Sequence, residues 1–291
     1  MEKKNILLIL LVLGTAFWGI SFSVTKLAIG TGSSSIFLFY RFLLATVVLA
    51  VVFCKQLRQT KLSDIKTGAM LAIPLFLGIH LQTLGIKATD AAQCAFIAGM
   101  TVVVVPLLKL LLYRKAAPFK IWIAALIALS GLFIISINTQ LKISSGDLYT
   151  LIGAVGFAFY LIAVEKQAAI KSLVPTIVPM FATCSLLTFG LAIIDNQATW
   201  IPEANTFWVG VIYCALFSTA YMYSISNIAQ KYISAERVAL IYLLEPIFGA
   251  LAAFYLLDEN LSIRLLFGGG MILLATIISE VNIKNLKLKE K

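Results

Sequence analysis

Residues Ser234–Leu257 read SAERVALIYLLEPIFGALAAFYLL. The stretch is long and apolar enough to cross a bilayer, which takes roughly 20 residues of helix. It carries a carboxylate and a proline near its middle, Glu245-Pro246. At about 1.5 Å per residue, Glu245 lies about 15 Å from the Ala235 end, close to mid-bilayer. An ionisable group there is costly in hydrocarbon, so it faces a cavity or a partner. Pro246 removes a helix hydrogen bond and frees a carbonyl one turn back.

The stretch has an echo. A shift of 144 residues places Lys87, Ala91, Ala95, Ile97, Leu107, Leu112, Leu129 and Ile134 on Lys231, Ala235, Ala239, Ile241, Leu251, Leu256, Leu273 and Ile278, without a gap. The polar breaks match as well, Arg114-Lys115 falling on Asp258-Glu259 between two apolar spans. A shift of 139 aligns the earlier parts, with Gly14 on Gly153, Gly19 on Ala158 and Lys26 on Glu165.

The chain is 61% hydrophobic and 12% charged, with a mean hydropathy of +0.99. Soluble domains sit near 45–50% apolar and about 25% charged, so the expected class is an all-α polytopic membrane protein. Ten spans are marked by their polar breaks, at about 5–29, 34–54, 65–86, 91–113, 118–138, 146–166, 173–194, 207–229, 235–257 and 262–281. The run Ile6–Ile29 is too long for a signal-peptide core and lacks a convincing cleavage site, so it reads as a retained first helix.

The basic residues set the orientation. With the amino terminus in the cytoplasm, seventeen Lys and Arg fall inside. Four fall outside, Lys26, Lys87, Lys142 and Arg264, and Arg41 and Lys109 lie within spans. This asymmetry accounts for the net charge of +10 without nucleic acid, and both termini are expected in the cytoplasm. Ten spans and the 144-residue shift divide the chain into repeats at 1–142 and 143–291. Five spans per half make the halves enter from opposite sides. That is an inverted repeat, an architecture of secondary transporters that bind substrate near the midplane.

An ordered set of motifs runs through both halves. The first span carries Trp18-Gly19 and then Lys26, and the second reads Phe39-Tyr40-Arg41-Phe42-Leu43-Leu44-Ala45. The fourth reads Ala95-Phe96-Ile97-Ala98-Gly99 and then Pro106. The ninth reads Ala239-Leu240-Ile241-Tyr242-Leu243-Leu244-Glu245-Pro246, followed by Asp258-Glu259-Asn260-Leu261 and Gly268. Together these resemble the EamA-type branch of the drug/metabolite transporter superfamily over the whole chain. Two positions depart: Lys115 stands where many relatives carry glutamate, and Ala124 where many carry glycine. The resemblance implies export, less often uptake, of amino acids and related small metabolites across the inner membrane, without ATP hydrolysis.

The candidate substrate-binding residues are Trp18, Arg41, His80, Tyr160, Tyr221, Asn227, Tyr242 and Glu245. Glu245 reads either as a cavity carboxylate for a cationic group or a proton, or as a buried structural carboxylate capped by Tyr242 or the freed backbone. On a continuous helix Tyr242, Glu245 and Gly249 share a face. Arg41 suits a substrate carboxylate through its guanidinium fork, or a structural pairing within the bundle. His80 shares a face with Thr83 and Lys87, and polar groups at that depth favour a cavity. Trp18, Tyr160, Tyr221 and Asn227 supply the aromatic walls and few polar groups that suit an amphipathic metabolite. Glycines such as Gly14, Gly153 and Gly156 read as close helix approach. Gly268-Gly269-Gly270 lacks a following lysine and so is not a phosphate loop.

No cofactor and no metal site are expected: four scattered cysteines form no CxxC, and there is one histidine. No HExxH, Walker or serine-hydrolase motif is present, so an intramembrane enzyme is disfavoured. A channel lacks its ring of like residues or filter loop. The expected partners are a small-molecule substrate, the lipid bilayer and, for coupling, protons or a counter-substrate, in a monomer or homodimer that binds no nucleic acid.

Overall fold

Helix starts are written locally in the chain. Ser33 caps the second helix, its Oγ accepting from the Ile36 amide at 3.1 Å. Ser144 and Asp147 form a capping box: Ser144 Oγ accepts from the Asp147 amide at 3.2 Å, and Asp147 Oδ2 from the Ser144 amide at 2.7 Å. This satisfies orphan amides at the helix start. In the computed structural model, which describes residues 3–30, 32–88, 94, 97–136, 144–196, 198–249, 251 and 263–280, the described segments are helices and short connections. The helices are α1 (Lys3–Ile29), α2 (Ser34–Val52), α3 (Leu62–Ala88), α4 (Thr101–Tyr113), α5 (Phe119–Ser136), α6 (Ser145–Ala168), α7 (Val174–Ile194), α8 (Asn205–Ala229), α9 (Ala235–Tyr242) and α10 (Ile263–Glu280). A single helical turn, Cys54–Leu57, follows α2.

Among the described residues six helices, α1, α2, α3, α6, α7 and α8, are long and apolar enough to cross a membrane, and shorter apolar stretches run over Ile97–Tyr113, Phe119–Ile134 and Leu266–Ser279. Large apolar side chains such as Val51, Phe119, Leu126, Ile193 and Leu266 point outward. A soluble monomer rarely tolerates so much exposed apolar surface; lipid does. The start of the fourth expected span, the end of the ninth, Asp258-Glu259, Lys142 and the lysines beyond residue 280 lie outside the described residues.

The expected ninth span is interrupted. α9 ends at Tyr242, and a turn at Leu243 and Leu244 precedes a second helical piece at residues 245–249. The Leu243 and Leu244 amides close tight bonds to the carbonyls of Leu240 and Ile241, and the Leu244 carbonyl then accepts from Ile247 and Phe248. Pro246 has no amide to donate and its ring clashes with the carbonyl four residues back, but it is tolerated in the first turn of a new helix. The proline therefore breaks the span and restarts it, with Glu245 at the restart. The helix expected to carry Tyr242, Glu245 and Gly249 is interrupted, yet Tyr242 and Glu245 line one cavity, and Glu245 and Gly249 both face Gly19.

Packing alternates between the two parts of the chain. α1 packs on α8, α3 on α6 and α7, α2 on α7 and α8, α4 on α6 and α9, and α5 on α10. α1 and α8 are antiparallel, Lys3 lying over the Tyr232 ring just beyond α8 and Ala28 lying at Gly210. α3 and α6 are antiparallel too, Gly85 facing Gly146 and Gly78 facing Phe157. Ser33 donates to Asp195 Oδ2 at 2.6 Å, joining the start of α2 to the end of α7. Lys120 at the start of α5 donates to the Ser279 carbonyl at the end of α10.

These directions gather the loops before α1, between α2 and α3, between α4 and α5, between α6 and α7, and between α8 and α9 at one end. That basic end holds, among the described residues, Lys3, Lys61, Arg114, Lys171 and Lys231. At the other end Lys87 donates to the Gly32 carbonyl at 2.9 Å. Aromatic rings of Phe39, Tyr40, Phe189, Trp200, Phe207 and Trp208 cluster there, as amphipathic rings do at a membrane interface.

Candidate functional site

Two glycines in α1 set up the centre. A β-carbon at Gly14 would meet the Met222 sulfur, and one at Gly19 would lie 2.5 Å from the Glu245 carbonyl oxygen. Without side chains at these points α1 approaches both α8 and the 242–249 break. Trp18, between them, is driven inward and is 5% exposed. Its ring meets Tyr242 at 4.9 Å, Tyr223 at 5.6 Å and Phe157 at 5.8 Å, each edge to face, the arrangement aromatic quadrupoles favour.

A cavity of about 40 Å³ opens against this cluster. Its wall is Trp18 from α1, Gln82 from α3, Ala98, Gly99 and Thr101 from the entry to α4, Phe157 from α6, and Ala239, Tyr242, Leu243, Glu245 and Pro246 from α9 and its break. Glu245 is the one carboxylate among these described residues, and none of them is a lysine, arginine or histidine. Its Oε1 is buried and makes no hydrogen bond among the described residues. Tyr242 does not cap it: the Tyr242 hydroxyl pairs with Ser226 Oγ at 2.6 Å. An uncompensated carboxylate oxygen in low dielectric calls for a donor or a positive charge. At roughly 10–15 Å³ per water the space holds about three waters, whereas metabolite pockets run to roughly 300–1,000 Å³. In this conformation it accommodates a head group, not a whole metabolite.

Of the residues singled out in the sequence, Trp18, Tyr242 and Glu245 share this cavity. Tyr160 and Asn227 form a second polar centre nearby. Tyr160 is fully buried and its hydroxyl donates to Asn227 Oδ1 at 2.5 Å, while Asn227 Nδ2 reaches the Met180 sulfur. Tyr223 joins the centres, its ring lying 5.8 Å from Tyr160 and 5.6 Å from Trp18.

The remaining three lie elsewhere. Tyr221 turns to α1, its hydroxyl donating to the Leu10 carbonyl at 3.1 Å. His80 stacks on Phe76 at 5.5 Å, with a buried Nδ1 that makes no hydrogen bond among the described residues. Arg41 is 4% exposed and spans to α8: Nε donates to Thr219 Oγ1 at 2.6 Å and Nη2 to Ser218 Oγ at 3.2 Å. Both acceptors sit in a π-helical segment, Cys214–Tyr221. Its wider turn is uncommon and changes which side chains face a neighbour.

Gln82, Thr101, Phe157 and Tyr223 were not among the sequence candidates. Phe157 had a signal, since Gly153 and Gly156 just before it on the same helix mark a close approach. Gly156 indeed packs on the backbone of Gly78. Among the described residues no cluster of three His, Cys, Asp or Glu could hold a metal ion.

Comparison with known proteins fits this geometry to a class, a helical membrane transporter. Residues 5–137 and 144–280 each match the EamA-like transporter family, so the chain belongs to that family. A relative from Archaeoglobus fulgidus, named an uncharacterized transporter, is 26% identical over 273 residues, covering 94% of this chain and 85% of its own length. A second uncharacterized transporter from the same organism is 24% identical over 209 residues, covering 72% and 74%. One solved crystal structure of a protein superposes with a TM-score of 0.75 at 14% identity, covering 96% of this chain and 97% of that one. That likeness concerns the fold. Family and relatives point to a transporter rather than an enzyme.

Proposed function

We propose that this protein is a secondary transporter that moves a small metabolite, an amino acid or related compound, out of the cell across the inner membrane. The observation that carries the proposal is the small cavity with Glu245 Oε1 in its wall, without a hydrogen bond from any described residue. An ammonium group would supply the missing donor and charge, and the rings of Trp18, Phe157 and Tyr242 would take an apolar side chain. Coupling is to protons or to a counter-substrate.

The architecture proposed is two inverted five-helix repeats, 1–142 and 143–291. The exchange pattern of the packing supports it: α1 on α8 pairs with α6 on α3, and α4 on α6 with α9 on α1. Each of the first five helices also runs opposite to its counterpart five helices on. The lysine-rich end is assigned to the cytoplasm with both termini. Substrate reaches the cavity alternately from the two sides as the repeats rock against each other.

Counterflow in proteoliposomes tests this, with labelled amino acids and related amines screened for trans-stimulation. Saturable, trans-stimulated flux supports the carrier. Flux that neither saturates nor responds to internal substrate would indicate a pore. Trans-stimulation confined to a bulkier metabolite taken up into the cell would favour the second reading, an uptake or exchange carrier.

A further inference from the structure

Lys109, Glu165 and Glu236 meet where α4 and α6 finish and α9 begins. Lys109 Nζ lies 2.7 Å from Glu165 Oε2 and 2.8 Å from Glu236 Oε1. The three side chains are 14%, 25% and 7% exposed. Their helices are ones that line the cavity, through Thr101, Phe157 and Ala239. Lys109 and Glu165 each follow the lining residue of their helix by about two turns, roughly 12 Å, and Glu236 precedes Ala239 by about one turn. The triad therefore sits between the cavity and the basic end of the bundle. The lysine comes from the first half of the chain and both carboxylates from the second.

Such a triad is a poor way to stabilise a fixed bundle. Removing three charges from water offsets much of their attraction, and apolar residues of similar size do as well or better. The balance changes for helices that must part. Separated, each charge regains water at little cost; closed, each needs the others, because a buried charge stripped of its partner is strongly destabilising. A contact nearly balanced between open and closed suits alternating access.

We infer that Lys109, Glu165 and Glu236 are the latch that closes the cavity toward the basic end, and that it parts when α4 separates from α6 and α9. The inference rests on the proposed transport through this cavity. Lys109→Gln leaves two facing carboxylates without their lysine and favours the parted state. Lys109→Glu with Glu236→Lys and Glu165→Gln re-forms the contact between positions 109 and 236 with its signs reversed and no carboxylate facing it, and restores the pair that Glu165→Gln alone retains.

The experiment places a reporter thiol in the cavity wall, Ala98→Cys, in a background with the native cysteines replaced. A membrane-impermeant maleimide is applied to sealed cells and to inverted vesicles. Melting temperature and size-exclusion profile confirm that each variant is folded. From the basic end, the Lys109→Gln reporter should label at least about tenfold faster than its parent, and the charge-reversed variant should return to the Glu165→Gln rate. Glu165→Gln, which retains the Lys109–Glu236 pair, should lie between and serves if Lys109→Gln does not fold. Equal labelling of parent, Lys109→Gln and Glu165→Gln from the basic end, with labelling intact from the other end, overturns the latch alone. A thiol that reacts from neither end in any variant overturns the latch and the cavity as a route together.

Discussion

Gly19 and Glu245 pack backbone against backbone: a β-carbon on Gly19 would stand 2.5 Å from the Glu245 carbonyl oxygen and 2.8 Å from the Gly249 nitrogen. Backbone atoms cannot rotate aside, so Gly19→Ala must push α1 away from the break that presents Glu245. The expected cost is about 1–3 kcal/mol, as for other overpacked sites, seen as a lower melting temperature in detergent. Gly190 is the control: it is exposed, and a β-carbon there would meet nothing within 4 Å. Gly190→Ala should be neutral or slightly stabilising.

Arg41 provides a second test. Its Nε and Nη2 donate to Thr219 and Ser218 in the π-helical segment, away from the cavity wall. Thr219→Val should leave a buried guanidinium donor bare and cost about 1–3 kcal/mol, while counterflow per folded molecule stays near that of the parent. A Thr219→Val protein of normal stability with altered substrate affinity would return Arg41 to the binding site.

The Tyr160–Asn227 bond is fully enclosed, so its loss should be visible in coupling. Tyr160→Phe strands the Asn227 oxygen and should lower stability by about 1–3 kcal/mol. Adding Asn227→Leu should cost less than the sum of the two single changes. Additive melting shifts in a double-mutant cycle would contradict the bond.

Orientation rests on charge. A cysteine at Lys61 should react with impermeant reagent in inverted vesicles and not in sealed cells, while one at Asp195 should do the reverse. Labelling of residue 61 from outside would invert the assignment.

The sequence carried the long helices well, because runs such as Ile6–Ile29 exceed a membrane's thickness and end at polar breaks. Glu245 was conspicuous because hydrocarbon makes a carboxylate expensive. Facing was harder to read. Helices apolar nearly all round carry no polar stripe to show which side packs inward. Gln82 and Thr101 thus gave no sign that they line the cavity; their placement depends on how closely α3, α4 and α6 approach. Tyr221 and Asn227 part company because six residues turn a helix by about 240°, sending one to α1 and the other to α6. The π-helical turn leaves no pattern in Cys214–Tyr221. The depth of Arg41 was legible for that reason only along its own helix, and its partners on α8 were not.

Everything proposed for the cavity turns on Glu245 serving the transported substrate or proton and not the fold. The most direct measurement is counterflow per folded molecule for Glu245→Gln against the parent, across a pH series, in matched proteoliposomes. Glutamine keeps the size and gives up the charge. The expected outcome is an intact, inserted protein whose flux is abolished or whose pH dependence is gone. Normal flux with normal pH dependence from a well-folded Glu245→Gln protein would contradict it.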